Sequence, residues 1–257
     1  MIVVKQAEIS PFPNGYSYLV FGSAKQYTIE TGLASAARGG GIISGDSYTT
    51  MEIGAGTYAM AISDGMGNGE RAHEESRETL RLLQQILQTG IPEEVAIKSI
   101  NSILSLRTTD EMFATLDLAM MNLHNAHVRF LKIGSSPSFI KRGEDILTIQ
   151  ASNLPMGIIQ EVDVDIVSDQ LKSDDLLIMM SDGILEGPAH IENPETWIKK
   201  KLTQMKTTAP QEVADLILEE VIRTRSGLIA DDMTVLVAKI EKHIPEWSPI
   251  PVLEDYA

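Results

Sequence analysis

Two kinds of hydrophobic pattern alternate along this chain of 257 residues. Short apolar runs of strand length come first and recur: "YTIETGLASA" from Tyr27, "TYAMAIS" at Thr57–Ser63, then "TLDLAMMNL", "HVRFLKIG" and "SFIKRG" from Thr115 onward, "DLLIMMS" at Asp175–Ser181 and "MTVLVAKI" at Met233–Ile240. Between them lie two blocks with helical spacing. In Glu70–Gln88 the apolar positions are Ala72, Leu80, Leu83 and Leu87, and Gly90 supplies a stop. A second helix opens at Pro92 and runs through Leu104, with Val95, Ile97, Ile100 and Ile103 apolar; Val95 and Ile97 are expected to face outward. Two later helices are predicted over Glu195–Met205 and Gln211–Thr224, the latter after Pro210. Asn125-Ala126 reads as the turn of a hairpin.

This order does not make the regular strand–helix alternation of a parallel sheet. It predicts an α+β fold of two antiparallel sheets with helices outside them. The domain lies within 27–242. Residues 1–26, broken by "PFPNG", are expected to be the end of an upstream regulatory region, and the proline-rich stretch 243–257 an irregular tail.

Composition narrows the function. The formal charge of −15 argues against a nucleic-acid partner, because phosphate contacts need clustered Lys and Arg. The absence of cysteine excludes disulfides, thiolate metal ligands and a cysteine nucleophile. No apolar run is long enough to cross a bilayer as a helix.

Two strands end in Ser-Asp-Gly: "AISDGMGNG" places Asp64 there, and "MMSDG" places Asp182. "GMGNGERA" lacks the Gly-Lys-Ser/Thr of a phosphate loop. Asp64, Asn68, Gly69 and Glu75 fall at the first, fifth, sixth and twelfth places of a calcium loop, but Met66 at the third offers no hard oxygen. An aspartate at a strand end is often a turn residue or cap. Here, however, Asp46 in "SGDSY" precedes a strand, and Asp231 and Asp232 in "ADDMTVLV" precede another. Carboxylates of this kind, brought together from distant parts of a chain, suit hard divalent cations. Spacing alone leaves their convergence open.

In this order, "SGDSY", "AISDGMGNG", "MMSDG" and "ADDMTVLV" resemble the metal motifs of the PPM (PP2C-like) serine/threonine phosphatases. "TGLASAARGGGIISGDSY", "GMGNGERAHEES" and "MFATLDLAMMNL" resemble the stage II sporulation protein E branch, and the likeness spans Tyr27 to Ile240. The resemblance implies an α-β-β-α sandwich. It implies two Mn²⁺ or Mg²⁺ ions held by Asp46, Asp64, the Gly65 carbonyl, Asp182 and Asp231, with Asp64 bridging both, and water activated for in-line attack on a phosphoserine. Asp46, Asp64, Asp182 and Asp231 are thus the expected catalytic set; Asp232, where Asn is common, has no assigned role.

By the same resemblance the substrate is a phosphorylated anti-sigma factor antagonist, whose release activates a sporulation sigma factor. The alternatives are another phosphoprotein regulator, or a phosphatase-fold scaffold without turnover. The branch further implies a membrane-anchored full-length protein acting at the cytoplasmic face, and a homodimer is an open expectation. The helix pair 70–104, which starts directly after the Asp64 loop, is expected to couple to Gly65 as a two-state element. Arg38 is the nearest basic residue before "SGDSY" but does not match the family's phosphate-gripping arginine. His73, His124, His127, His190 and His243 match no catalytic motif, and His73 is expected at the surface.

Overall fold

The computed structural model describes residues 2–8, 17–66, 69–106, 113–150, 155–156, 164, 166–186 and 191–243, with backbone alone for 2–8 and 17–22. His190, Asn68 and the tail beyond His243 lie outside the described residues.

The strands are β1 (Ile2–Glu8), β2 (Ser17–Gly22), β3 (Tyr27–Ala36), β4 (Asp46–Ile53), β5 (Thr57–Asp64), β6 (Leu116–Asn122), β7 (His127–Ile133), β8 (Ser138–Arg142), β9 (Asp145–Ile149), β10 (Ile166–Gln170), β11 (Leu176–Met180) and β12 (Met233–Lys242). The helices are α1 (Glu70–Gln88), α2 (Glu93–Leu106), α3 (Asp182–Glu186), α4 (Pro194–Gln204) and α5 (Pro210–Thr224). One five-stranded sheet has the order β10-β7-β6-β5-β4 and the other β3-β12-β11-β8-β9; β1 and β2 form a separate two-stranded sheet. Among the described residues, every strand pairing within the two large sheets is antiparallel.

The layers follow from strand alternation, because successive side chains point to opposite faces. On the first sheet, Ala59, Ala61, Leu116, Leu118, Leu131 and Ile133 face α1 and α2, meeting Leu80, Leu83, Leu87, Ile97, Ile100 and Leu104. On the second, Leu176, Ile178, Met180, Met233, Val235 and Val237 meet Ile184 of α3, Ile198 and Leu202 of α4, and Val213, Ala214, Ile217 and Val221 of α5. The other parity of both sheets makes the central core: Met60, Ile62, Ala119, Met121, Val128 and Phe130 against Ile140, Leu177, Met179, Leu236 and Ala238. The result is the α-β-β-α sandwich the sequence implied.

Local chemistry starts and stops these elements where the pattern predicted, within a residue or two. Asn193 caps α4 by accepting a hydrogen bond from the Thr196 N–H at 2.9 Å, with Pro194 next in the chain. The β6–β7 hairpin turns through Asn125-Ala126, with Ala126 at φ 59°. Four strands are not predicted by the pattern: β1, β2, β9 and β10. The last two are edge strands, short and partly exposed, where the apolar alternation that flags a strand is weakest.

One predicted orientation is wrong. Val95 is exposed, at 51%, but Ile97 is fully buried in the core beneath α2. α2 packs on both α1 and the first sheet, so its buried face is wider than a single stripe. Ile97→Ala should therefore cost about 2–5 kcal/mol of stability, and Val95→Ala within about 0.5 kcal/mol. Urea unfolding midpoints of the two variants would check this; equal midpoints would contradict the burial of Ile97.

Candidate active site

At one end of the sandwich the inward-facing rows change from apolar to polar. Following alternate residues, Met60 and Ile62 lead to Asp64; Met121 and Ala119 lead to Asp117; Phe130 leads to Lys132. On the opposite sheet Ile140 leads to Ser138, Leu177 and Met179 lead to Ser181, and Leu236 leads to Thr234 and Asp232. Asp46 opens β4 directly opposite Asp64, the last residue of β5. Like charges so placed repel. Asp182 starts α3 just beyond β11, and Asp231 stands two residues ahead of β12.

The aspartates from both sheets reach one another electrostatically. Burial, then the charges of Asp46, Asp182, Asp231 and Asp232, push the Asp64 carboxyl up to about 8. Asp46 is raised to about 6, first by burial; the Ser181 and Thr234 hydroxyls lower it, and Asp182 and Asp232 raise it again. Asp182 is raised by burial and then by Asp231 and Glu186. Both carboxylate oxygens of Asp46 are buried without a hydrogen-bond partner of ordinary geometry. Among the described residues, no three His, Asp or Glu side chains close on a single point at metal-ligand geometry.

The backbone around this cluster is closely fixed. Asp64 N–H donates to Thr115 Oγ1 at 3.0 Å, Thr115 N–H donates to the Asp64 carbonyl at 2.9 Å, and Ser63 Oγ donates to the Thr115 carbonyl at 2.8 Å. A Cβ on Gly65 would lie 2.0 Å from the Ala72 carbonyl oxygen in α1, and a Cβ on Gly183 would lie 2.0 Å from the Asp232 carbonyl oxygen. Only glycine lets α1 and the start of β12 approach this closely, which explains the Ser-Asp-Gly at both strand ends.

Asp232 has a definite place. It is buried, its Oδ1 accepts from the Arg38 N–H at 2.9 Å, and its Oδ2 accepts from the Gly45 N–H at 2.9 Å. One carboxylate thus ties both ends of the loop from Arg38 to Gly45 and fixes the residue before Asp46. The side chain of Arg38 is exposed, and its backbone is what meets Asp232.

His73 is not a plain surface residue. It is half-buried, with Nδ1 2.9 Å from the Ser44 carbonyl oxygen. Together with Ser76 Oγ donating to Ser47 Oγ at 2.8 Å, it forms part of a polar seam between α1 and β4. His124 is structural, its Nδ1 3.2 Å from the Ala24 carbonyl oxygen and its Nε2 2.9 Å from that of Ala55.

Sequence reading passed over Asp117, Lys132, Thr115 and Ser181. The signal was present: Asp117 and Lys132 stand at inward positions of otherwise apolar strands, where a polar residue needs a reason. They are register partners on β6 and β7, with Lys132 Nζ 2.5 Å from Asp117 Oδ2.

Comparison with known proteins places this geometry. The family model for "Stage II sporulation protein E (SpoIIE)" matches residues 54–241. A stage II sporulation protein E of Priestia megaterium is 65% identical over 250 residues, covering 97% of this chain but 43% of that protein. The chain thus spans less than half the length of this relative. Phosphoserine phosphatase RsbU of Bacillus subtilis (strain 168) is 23% identical over 185 residues, covering 70% of this chain and 55% of that protein. A solved structure of the PP2C phosphatase domain and a fragment of the regulatory domain of SpoIIE from Bacillus subtilis superposes with a TM-score of 0.86 at 62% identity, covering 95% of this chain and 70% of that one. With the family model matched over 54–241 of this chain and the same two-sheet sandwich as the PP2C phosphatase domain of a relative 62% identical, this chain belongs to the stage II sporulation protein E family.

Proposed function

We propose that this chain hydrolyses a phosphoserine monoester on a protein substrate with the help of two divalent cations, and that the substrate is a phosphorylated anti-sigma factor antagonist whose release activates a sporulation sigma factor. The observation that carries the reading is the cluster of Asp46, Asp64, Asp182 and Asp231, drawn from both sheets and costly to ionise together. The similarity to a phosphatase domain of SpoIIE and to a phosphoserine phosphatase supports the reaction class.

The donor set fits a hard divalent cation. It is all oxygen, it includes two buried carboxylate oxygens of Asp46 that lack a hydrogen-bond partner of ordinary geometry, and it carries net negative charge. Asp46, Asp64, the Gly65 carbonyl, Asp182 and Asp231 would hold the ions, Mn²⁺ or Mg²⁺, with water completing the shells. When bound, such ions offset charge on phosphoryl oxygens and lower the pKa of water.

The chain's own part is positional. Thr115 clamps Asp64 from its N–H and its carbonyl, and Asp232 fixes the loop that presents Asp46. Gly65 and Gly183 allow the backbone of α1 and β12 to lie against the site. No cysteine is present, so turnover by this route requires no thiol nucleophile. By resemblance to its branch, the full-length protein is proposed to be membrane-anchored at the cytoplasmic face, with residues 1–26 leading from a regulatory region into a phosphatase domain at 27–242 and a tail at 243–257. No helix among the described residues is long and apolar enough to cross a membrane.

Four outcomes are expected. Asp64→Asn should lower phosphate release from a phosphorylated antagonist protein by at least about a hundredfold, the scale of losing one preorganised electrostatic group, while folding is retained. Near-normal release in Mn²⁺ would refute the role of Asp64. Exhaustive chelation should abolish phosphate release, and Mn²⁺ or Mg²⁺ should restore it; full activity with metal content verified as zero would be incompatible with the site. A panel of phosphorylated regulators run in the same assay identifies the substrate, and failure of every antagonist protein would remove that assignment.

The fourth outcome concerns pH. The folded pKa values of Asp64, about 8, and Asp46, about 6, lie above the ordinary carboxylate value of 3.8. The folded state therefore binds these protons more tightly than the unfolded chain does. Their favourable contribution is complete below about pH 4 and is lost as pH rises through about 6 and then about 8. The metal-free chain should lose stability between pH 5 and 8, Asp64→Asn should lose less, and Mn²⁺ should flatten the slope. Thermal unfolding midpoints across that range measure it; parallel slopes for both chains without metal would contradict it.

A further inference from the structure

Against the proposed metal carboxylates lies a small pocket of about 20 Å³, lined by residues that include Asp64, Thr115, Asp117, Ser135, Ser181 and Asp182. That volume admits one water. Two polar atoms of its lining are buried with no hydrogen-bond partner, Asp117 Oδ1 and Ser135 Oγ. One more hydroxyl has a proton to give: Thr115 Oγ1 already accepts from the Asp64 N–H. Carboxylate acceptors, Asp117 Oδ1 and Asp64, and hydroxyl donors around a water-sized space satisfy the requirement of two to four polar partners for an ordered water.

Asp117 is itself held rigidly. Its Oδ2 meets Lys132 Nζ at 2.5 Å and accepts from Ser138 Oγ at 2.7 Å, and Lys132 Nζ donates to Ser138 Oγ at 2.9 Å. The side chains of Asp117 and Lys132 are 2% and 1% exposed. Asp117 and Lys132 belong to the first sheet and Ser138 to the second, so this cluster also pins the two sheets together. A buried ion pair is weak evidence for stability, since well-packed apolar residues often serve as well. Its remaining oxygen beside Asp64 gives the pair another use.

We infer that Asp117 is a positioning residue of the active site: through one water in this pocket, donating to Asp117 Oδ1 and to the Asp64 carboxylate and accepting from Ser135 Oγ, the Asp117–Lys132–Ser138 cluster orients Asp64 toward its cations. Outer-shell partners of metal-binding carboxylates act in this way, fixing orientation without touching the ion. The inference rests on the phosphatase reading above, and its test separates the two.

The first measurement is a crystal structure of the metal-free chain at a resolution that shows ordered water. A water within hydrogen-bond distance of Asp117 Oδ1 and Ser135 Oγ is expected; a dry cavity overturns the inference whatever the chain catalyses. The second is Mn²⁺ binding by calorimetry to the metal-free wild type, to Ser135→Ala, and to the double variant Asp117→Val with Lys132→Met. The double variant removes both charges together, so no unpaired charge is left to unfold it. Mn²⁺ affinity should fall about tenfold or more in the folded double variant and by a smaller factor in Ser135→Ala. If both variants bind Mn²⁺ as wild type does while only their melting temperatures change, the cluster merely holds the sheets together and the inference fails. If wild type itself takes up no Mn²⁺, the metal reading fails first, and the water seen or not seen in the cavity decides whether the bridge exists.

Discussion

The structure depends on bringing several carboxylates into one poorly hydrated place. Ionised together they repel, and burial adds to the cost, which is why Asp64 holds its proton up to about 8. Such a cluster persists only where the surrounding backbone leaves its members no alternative. Asp46 and Asp64 are locked opposite each other by the β4–β5 register, and Thr115 holds the Asp64 backbone at two points. Asp182 and Asp231 come from the other sheet and are brought close where Gly183 lies against the Asp232 carbonyl. The divalent cations proposed here would supply the compensating charge.

The same alternation that builds the central core also delivers the site. Each inward row is apolar through the middle of the sandwich and turns polar at one end. Met60, Ile62 and Asp64 are consecutive inward positions of a single strand, so core and chemistry share one geometric rule. A one-residue slip in the β4–β5 pairing would turn Asp64 to the helix face and Ala61 to the core. Lys132 places a positive charge deep in this polar end, paired with Asp117. Asp232 spends both of its oxygens on the backbone of the loop that leads to β4, a structural duty that Asn in its place could meet only at one of its two positions, because an amide nitrogen cannot accept.

α1 is fixed to the site by contact rather than by sequence proximity alone. The Ala72 carbonyl fills the space a side chain would need at Gly65, and the seam of His73, Ser76 and Gln84 binds the helix to Ser44, Ser47 and Thr49. That seam is polar, whereas the face toward the first sheet is apolar. The helix therefore meets its neighbours through two different kinds of contact, one directional and one governed by packing volume.

The sequence by itself determined a good deal. Apolar runs of strand length, two strongly periodic helices, Asn125-Ala126 and the Ser-Asp-Gly ends carry local signals, and local signals survive without a fold. They placed Asp46, Asp64, Asp182 and Asp231 at strand ends and predicted two antiparallel sheets. Edge strands β9 and β10 lacked that signal because their faces are partly solvated. Ile97 was read as outward because a helix shows its stripe but not how wide a neighbour covers it. Only the tertiary structure decided which aspartates reach one another, because that depends on register and on the packing of one sheet against the other. It alone gave Asp232 its two backbone partners, and it alone joined Asp117, Lys132 and Ser138, three residues whose charges and hydroxyl balance only once two sheets have closed over them.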